Sequence, residues 1–267
     1  TDPRLREARG VYYTPEPVVS YIVRSVDYLL KTCFDCPQGL ADNRKIHIPN
    51  EDPGLQVKGK KQARKTTECH KVLILDPAAG TGAFLYAVID HIRRQFMQQG
   101  NAGMWPGYVK HHLLSRLFGF ELLMAPYAVA HFKLSLQLAG RDLPEAVAAR
   151  WAYYPTDGER LGIYLTNALE EAHAMTGLPL FTQWVADESN AANEVKQRLP
   201  VLVVMGNPPY SVSSSNKSKW IEKLMNTYKH AVRSERNIQP LSDDYIKFIR
   251  LAQDRIERTE QGIVGMI

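Results

Sequence analysis

Four consecutive residues, Asn207-Pro208-Pro209-Tyr210, carry groups suited to one piece of chemistry. They follow Val201 to Met205, an apolar run that predicts a buried strand delivering them to its carboxyl end. An amino group on an aromatic ring is a poor nucleophile, because its lone pair is delocalised into the ring. The Asn207 side-chain oxygen and the Pro208 carbonyl can accept both of its N–H bonds, and Pro208 brings no competing N–H of its own. Held in that geometry, the nitrogen turns pyramidal and can be aimed at an alkyl donor. Tyr210 can stack on the ring so held. The competing reading is a loop in which Asn and two prolines do no more than end a strand.

A second polar feature follows an earlier apolar run. Val72 to Leu75 predicts a strand that leads into Asp76-Pro77-Ala78-Ala79-Gly80-Thr81-Gly82-Ala83-Phe84. Gly80 and Gly82 permit a tight turn and close approach of a ligand to the backbone. A dinucleotide-binding turn is one alternative, but Leu85 stands where its third glycine belongs, and the strand-end acid expected about 20 residues on is lacking. Glycines serving packing alone are the other alternative. The first strand-end acid is Glu121, after Leu117 to Phe120. A carboxylate there can accept hydrogen bonds from both hydroxyls of a ribose, or cap the helix that follows.

The elements that position these residues alternate between strand and helix. Helices are predicted over Gly82 to Arg94, Pro126 to Leu138, part of Ala186 to Leu199, and Tyr245 to Ile256. Further strands are predicted at Ile163 to Leu165, ending at Thr166-Asn167, and at Ile263 to Ile267. Before them, Val18, Val19, Ile22, Val23, Val26, Leu29 and Leu30 recur at helical spacing, with Thr14 suited to the N-cap and Pro15 to the first helical position. The alternation predicts an α/β fold with a doubly wound, mostly parallel sheet. In such sheets ligands bind at the carboxyl ends of strands, where Asp76 to Gly82, Glu121, Asn167 and Asn207 to Tyr210 all fall. Three segments are expected: 1–36 as an N-terminal motif and helix, 37–70 as a long basic loop, and 71–267 as the core. The chain opens without methionine and closes on an apolar run, which predicts a piece of a longer polypeptide whose last strands lie beyond it.

Composition narrows the class. The 267 residues are 45% hydrophobic and 23% charged, as in globular proteins. No apolar run approaches the roughly 18–20 residues needed to span a membrane, so no membrane partner is expected. Three unevenly placed cysteines make no disulfide framework, which predicts a cytoplasmic protein. Cys33 and Cys36 with the adjacent Cys69 and His70 are poorly spaced for zinc. The net charge of +5 is compatible with a polyanionic partner. The basic cluster Lys58 to Lys65 reads as a solvated loop, whereas the Ser213 to Lys219 loop, directly after the tetrapeptide, reads as a substrate contact.

Together these motifs resemble a family. Thr14-Pro-x-Pro-Val-Val, Asp-Pro-Ala-Ala-Gly-Thr-Gly-Ala-Phe, Glu121 and Asn-Pro-Pro-Tyr, in that order, resemble the gamma class of S-adenosylmethionine-dependent adenine-N6 DNA methyltransferases. The stretch from Gly10 to Val23 is especially similar to type ISP and type IIG restriction–modification enzymes. The resemblance covers Gly10 to Ile267 and implies a Rossmann-like class I methyltransferase fold. It implies that Tyr13, Thr14 and Pro15 close over the amino-acid end of S-adenosylmethionine. Asp76, Pro77, Ala78, Ala79, Gly80, Thr81, Gly82 and Phe84 would surround the methionine part. Glu121 would hold the ribose and Leu122 the adenine moiety, with Asn167, Ala168 and Asn207 bordering the cofactor. Asn207, Pro208, Pro209 and Tyr210 would grip an adenine flipped out of double-stranded DNA, with no metal needed for the transfer. Asp243, Tyr245 and Phe248 resemble the next motif. Nuclease, helicase-like and target-recognition domains would belong to the same polypeptide. Two other readings stand beside this one: methylation of RNA adenine or of a protein glutamine, and a non-catalytic module of a specificity subunit.

Overall fold

The computed structural model describes residues 14–49, 66–171, 183–210, 214 and 216–267, and of 183–186 the backbone alone. Its centre is a five-stranded parallel sheet built from β3 (Ile74–Asp76), β4 (Leu117–Glu121), β5 (Gly162–Leu165), β6 (Val203–Gly206) and β7 (Ile263–Met266). The strand order is β5-β4-β3-β6-β7. From the central β3 the chain steps outward through β4 to β5, then crosses back to β6 and on to β7. The order therefore reverses between β3 and β6, where open α/β sheets form a crevice at their carboxyl ends.

The strands are apolar on both faces because helices cover both. Val72, Ile74, Val203 and Met205 point to one side. There they meet α1 (Glu16–Cys33), α2 (Ala83–Gln98) and α3 (Met124–Leu138) through Val19, Val23, Val26, Leu30, Val88, Ile89 and Leu134. Leu73, Leu75, Phe118, Phe120 and Val204 point to the other. That side is covered by α5 (Gln183–Gln197), α6 (Lys219–Ala231) and α7 (Asp244–Thr259), through Ala192, Val195, Ile221, Met225, Phe248 and Leu251. A short α4 (Glu145–Trp151) precedes β5. No helix among the described residues is long and apolar enough to cross a membrane.

The doubly wound parallel sheet is the one the sequence predicts, with shifted boundaries. β3 begins at Ile74 rather than Val72, because the Ile74 amide is the first to donate across to the Arg116 carbonyl, and it runs on to include Asp76. β6 likewise covers Val203–Gly206 rather than Val201 to Met205. Helices α4 and α6 have no counterpart among the predicted elements. Within 37–70, read from sequence as a loop, β1 (Lys45–Pro49) and β2 (Thr66–His70) pair as an antiparallel ribbon, Lys45 opposite His70. Polar and histidine residues interleave there on a largely exposed ribbon, so apolar periodicity is weak. The Lys58 to Lys65 cluster lies outside the described residues.

Candidate active site

The turn after β3 is fixed by hydrogen bonds from its backbone amides. The Ala79 amide donates to the Phe120 carbonyl at 2.8 Å, and the Gly80 amide donates to Glu121 Oε2 at 2.9 Å. Gly82 sits at φ 77°, left-handed, as the residue before α2. A side chain there would be strained and would press on Ala130 at 3.4 Å. Gly80 is also left-handed, at φ 55°. A methyl group placed on it would meet only the Ala78 carbonyl among the described residues, at 4.0 Å, so its outer side is open. Pro77, Ala79 and Phe84 are buried beneath the turn, while Ala78, Gly80 and Thr81 form its half-exposed rim. Leu122 stands exposed beyond Glu121.

Two carboxylates lie under this rim. Asp76 is 1% exposed, and its Oδ1 accepts from the Ala78 amide at 3.1 Å. Burial pushes its carboxyl up to about 7, and the charge of Glu121 adds to the rise. Glu121 is also raised by burial, against backbone donors at Leu123, Gly80 and Leu122. Its Oε1 accepts from the Leu123 amide at 2.7 Å, so the same carboxylate ties the turn to the entry of α3. Asp76 therefore takes up a proton on folding. The resulting penalty is absent below its unfolded value of 3.8, grows as pH rises from there to about 7, and is constant above that. Denaturant unfolding at pH 5 and pH 8 is expected to show a smaller loss of stability between the two for Asp76→Asn than for the wild type; equal losses would refute this.

Asn207 follows β6 directly across the crevice. Its Nδ2 donates to Thr14 Oγ1 at 2.9 Å, which sets the orientation of the carboxamide. Tyr210 OH donates to the Ile267 carbonyl at 2.7 Å, with Asn207 Oδ1 at 3.4 Å from the same hydroxyl. Pro208 is buried and Pro209 half-buried, and the Tyr210 ring stacks on Tyr245 at 4.8 Å and 20°. Thr14 is not the helix cap: Pro15, with ψ 138°, holds that position without a side-chain bond, and α1 begins at Glu16. The hydroxyl of Thr14 is engaged by Asn207 instead. Tyr13 lies outside the described residues, and Pro15 is exposed.

The two halves touch at Gly206. A methyl there would lie 2.6 Å from Asp76 Oδ1 and 3.7 Å from Pro77, so the absence of a side chain lets the residue before Asn207 back onto the acid before the turn. Asn167, after β5, is bound within the protein: its Oδ1 accepts from the Leu169 amide, and its Nδ2 donates to Glu170 and to Asn216 Oδ1 at 2.9 Å. Ala168 is buried beside it. Asp243 caps α7 by accepting from the Tyr245 amide at 2.8 Å, and Phe248 is core.

Sequence reasoning missed Lys196. Its Nζ donates to Thr166 Oγ1 at 2.9 Å and to the Asn167 carbonyl at 2.7 Å, and burial lowers it to about 8. The available signal was position: Lys196 follows Ala192 by one helical turn, on the buried face.

No protein-family model and no curated protein sequence matches the chain. Solved structures do. An ATP-dependent type ISP restriction–modification enzyme, LlaBIII, bound to DNA, is 24% identical with a TM-score of 0.65, over 96% of this chain and 14% of that one. DrdV in a DNA complex is 26% identical with a TM-score of 0.62, over 99% and 21%. A nuclease-deletion mutant of the type ISP enzyme LlaGI, in complex with a DNA substrate mimic, is 22% identical with a TM-score of 0.67, over 96% and 18%. The chain thus spans about a fifth or less of the length of these proteins. The resemblance suggested by the motifs is met at the level of fold: this chain has the mostly parallel α/β architecture of a segment of type ISP restriction–modification enzymes.

Proposed function

We propose that this chain is an S-adenosylmethionine-dependent methyltransferase module acting on N6 of an adenine flipped out of duplex DNA, within a larger restriction–modification polypeptide. The observation that carries this reading is the approach of Asn207-Pro208-Pro209-Tyr210 to the Gly80–Gly82 turn across the reversal of strand order, with Gly206 backed onto Asp76. The similar proteins were solved with DNA or a DNA mimic bound, which favours DNA over an RNA or protein substrate.

The residues present suit the cofactor. Open space above Gly80 admits a ligand to the backbone, and the buried Asp76 and half-buried Glu121, both raised by desolvation, would be returned toward the charged form by a cationic ligand, with Glu121 also able to accept from hydroxyls. Thr14, Pro15, Asp76, Pro77, Ala78, Ala79, Gly80, Thr81, Gly82 and Phe84 would form the methionine side, with Glu121, Leu122, Asn167, Ala168 and Asn207 on the adenosine side. When bound, S-adenosylmethionine supplies an electrophilic methyl group on a sulfonium. Thr14 holds the Asn207 carboxamide so that Oδ1 is presented as an acceptor. That oxygen and the Pro208 carbonyl would accept the two N–H bonds of the adenine amine, withdrawing its lone pair from the ring. Tyr210 would stack on the extruded base.

The direct test is transfer of labelled methyl from S-adenosylmethionine to unmethylated DNA by the full-length protein, followed by digestion to nucleosides. Label in N6-methyladenine is expected; label in another base, or only in RNA or protein, would overturn the reading. Tyr210→Ala is expected to raise KM for DNA about tenfold through lost stacking, worth about 1–3 kcal/mol per base. Tyr210→Phe should retain most of that affinity. Equal effects of the two substitutions would count against stacking.

A further inference from the structure

Among the described residues that follow the tetrapeptide, Asn216 is bonded to two other elements. Asn216 Oδ1 accepts from Asn167 Nδ2 at 2.9 Å, at the end of β5. Asn216 Nδ2 donates to Asp244 Oδ2 at 3.0 Å, at the start of α7. Its carbonyl accepts from Lys247 Nζ at 2.6 Å, and its amide donates to Ser214 Oγ at 3.0 Å. Lys247 Nζ also donates to Ser214 Oγ and lies 3.5 Å from Asp244 Oδ1. Asp244, Lys247 and Ser214 are all buried. Two residues on, Ser218 Oγ donates to the Leu169 carbonyl at 3.3 Å and caps α6 through the Ile221 amide.

A buried cluster of this kind is worth its desolvation only when each member is paired, and then it enforces one arrangement. Here the arrangement links three places that simple sheet packing does not register: the end of β5, residues 214 and 216, and the first turn of α7. That turn carries Tyr245, on which Tyr210 stacks. The Asn167 side-chain amide is committed to this linkage through Glu170 and Asn216. An aspartate at 167 could not donate to Asn216 in this way.

We propose that Asn216, with Asp244 and Lys247, is a positioning clamp: it holds the chain at position 216 to the end of β5, and through Asn167 and Tyr245 couples the cofactor half of the site to the half that holds the target base. This rests on the methyltransferase reading for its consequence but not for its geometry. Asn216 touches no reacting atom; it acts through the elements it joins.

The test uses N216D and the paired exchange N216D with D244N in the full-length protein. N216D sets two carboxylates against each other, whereas the pair restores one donor facing one acceptor. In N216D, amide exchange at position 216 is expected to rise about tenfold and KM for DNA to rise about tenfold, the loss of one charge-assisted bond, while the Kd for S-adenosylmethionine stays within about twofold. The paired exchange should recover most of both changes. If amide exchange and KM are unmoved in N216D while Asn207→Ala lowers kcat at least a hundredfold, about the usual loss of a preorganised polar group, the clamp is refuted and the methyltransferase reading stands. If N216D instead weakens S-adenosylmethionine binding tenfold with KM for DNA unchanged, the positioning role is refuted in favour of a cofactor-side role. If no methyl transfer is found for the wild type, the exchange measurement still decides whether the clamp exists.

Discussion

Asn207→Ala is expected to lower kcat for methyl transfer by about two to three orders of magnitude, the usual cost of removing one preorganised polar group from a reacting centre. The loss should fall on kcat more than on binding. Asn207 Oδ1 would act on the amine as its lone pair leaves the ring, an interaction that strengthens toward the transition state. Asn207→Asp is expected to cost less than the Asn207→Ala loss, because a carboxylate keeps the acceptor and the Thr14 hydroxyl, 2.9 Å from the Asn207 amide nitrogen, can turn to donate to it. Thr14→Val should reproduce part of that loss while Thr14→Ser spares it. Steady-state kinetics with a calorimetric S-adenosylmethionine titration check all four variants. An Asn207→Ala protein that transferred methyl at the wild-type rate would remove the tetrapeptide from the mechanism.

Gly206→Ala is expected to disturb fold and site together. The added methyl would stand 2.6 Å from Asp76 Oδ1, closer than real contacts allow. Asp76 is buried and bonded to the Ala78 amide, so it cannot swing aside without abandoning that bond. Overpacking of this kind costs about 1–3 kcal/mol. For a domain of this size that is a fall in Tm of several degrees, at about 2–4 °C per kcal/mol. S-adenosylmethionine affinity should fall with it, because the turn begins at the displaced residue. Unchanged Tm and unchanged affinity would show that β6 can shift away from β3 at no cost.

The sheet is readable from sequence because its strands are short apolar runs ending in polar turns. Val72 to Leu75 and Val201 to Met205 each stop at a motif, and each motif stands at a strand end as predicted. Boundaries move by one or two residues because ladder bonds, which a sequence does not display, decide where pairing begins. Helix α6 escapes a sequence reading although Ile221, Leu224, Met225 and Tyr228 recur at helical spacing, because the Ser/Asn/Lys stretch before it reads as loop. Thr before Pro is a common cap pattern, which is why Thr14 reads as a helix cap. Its bond to Asn207 depends on tertiary contact that no local pattern contains. The stacking of Tyr245 on Tyr210, and the Asn216 clamp, are likewise unreadable from spacing.

The hydrogen bond between Thr14 and Asn207 joins residues 193 positions apart. Contacts of such long sequence separation pay their loop-closure entropy before they return any energy, so they form late in folding. The pairs β3–β4 and β6–β7 can zip without it. The carboxamide is therefore among the last groups to be oriented on refolding. A preparation can regain its sheet, and the circular dichroism that reports it, while its chemistry still waits for the start of α1 to dock.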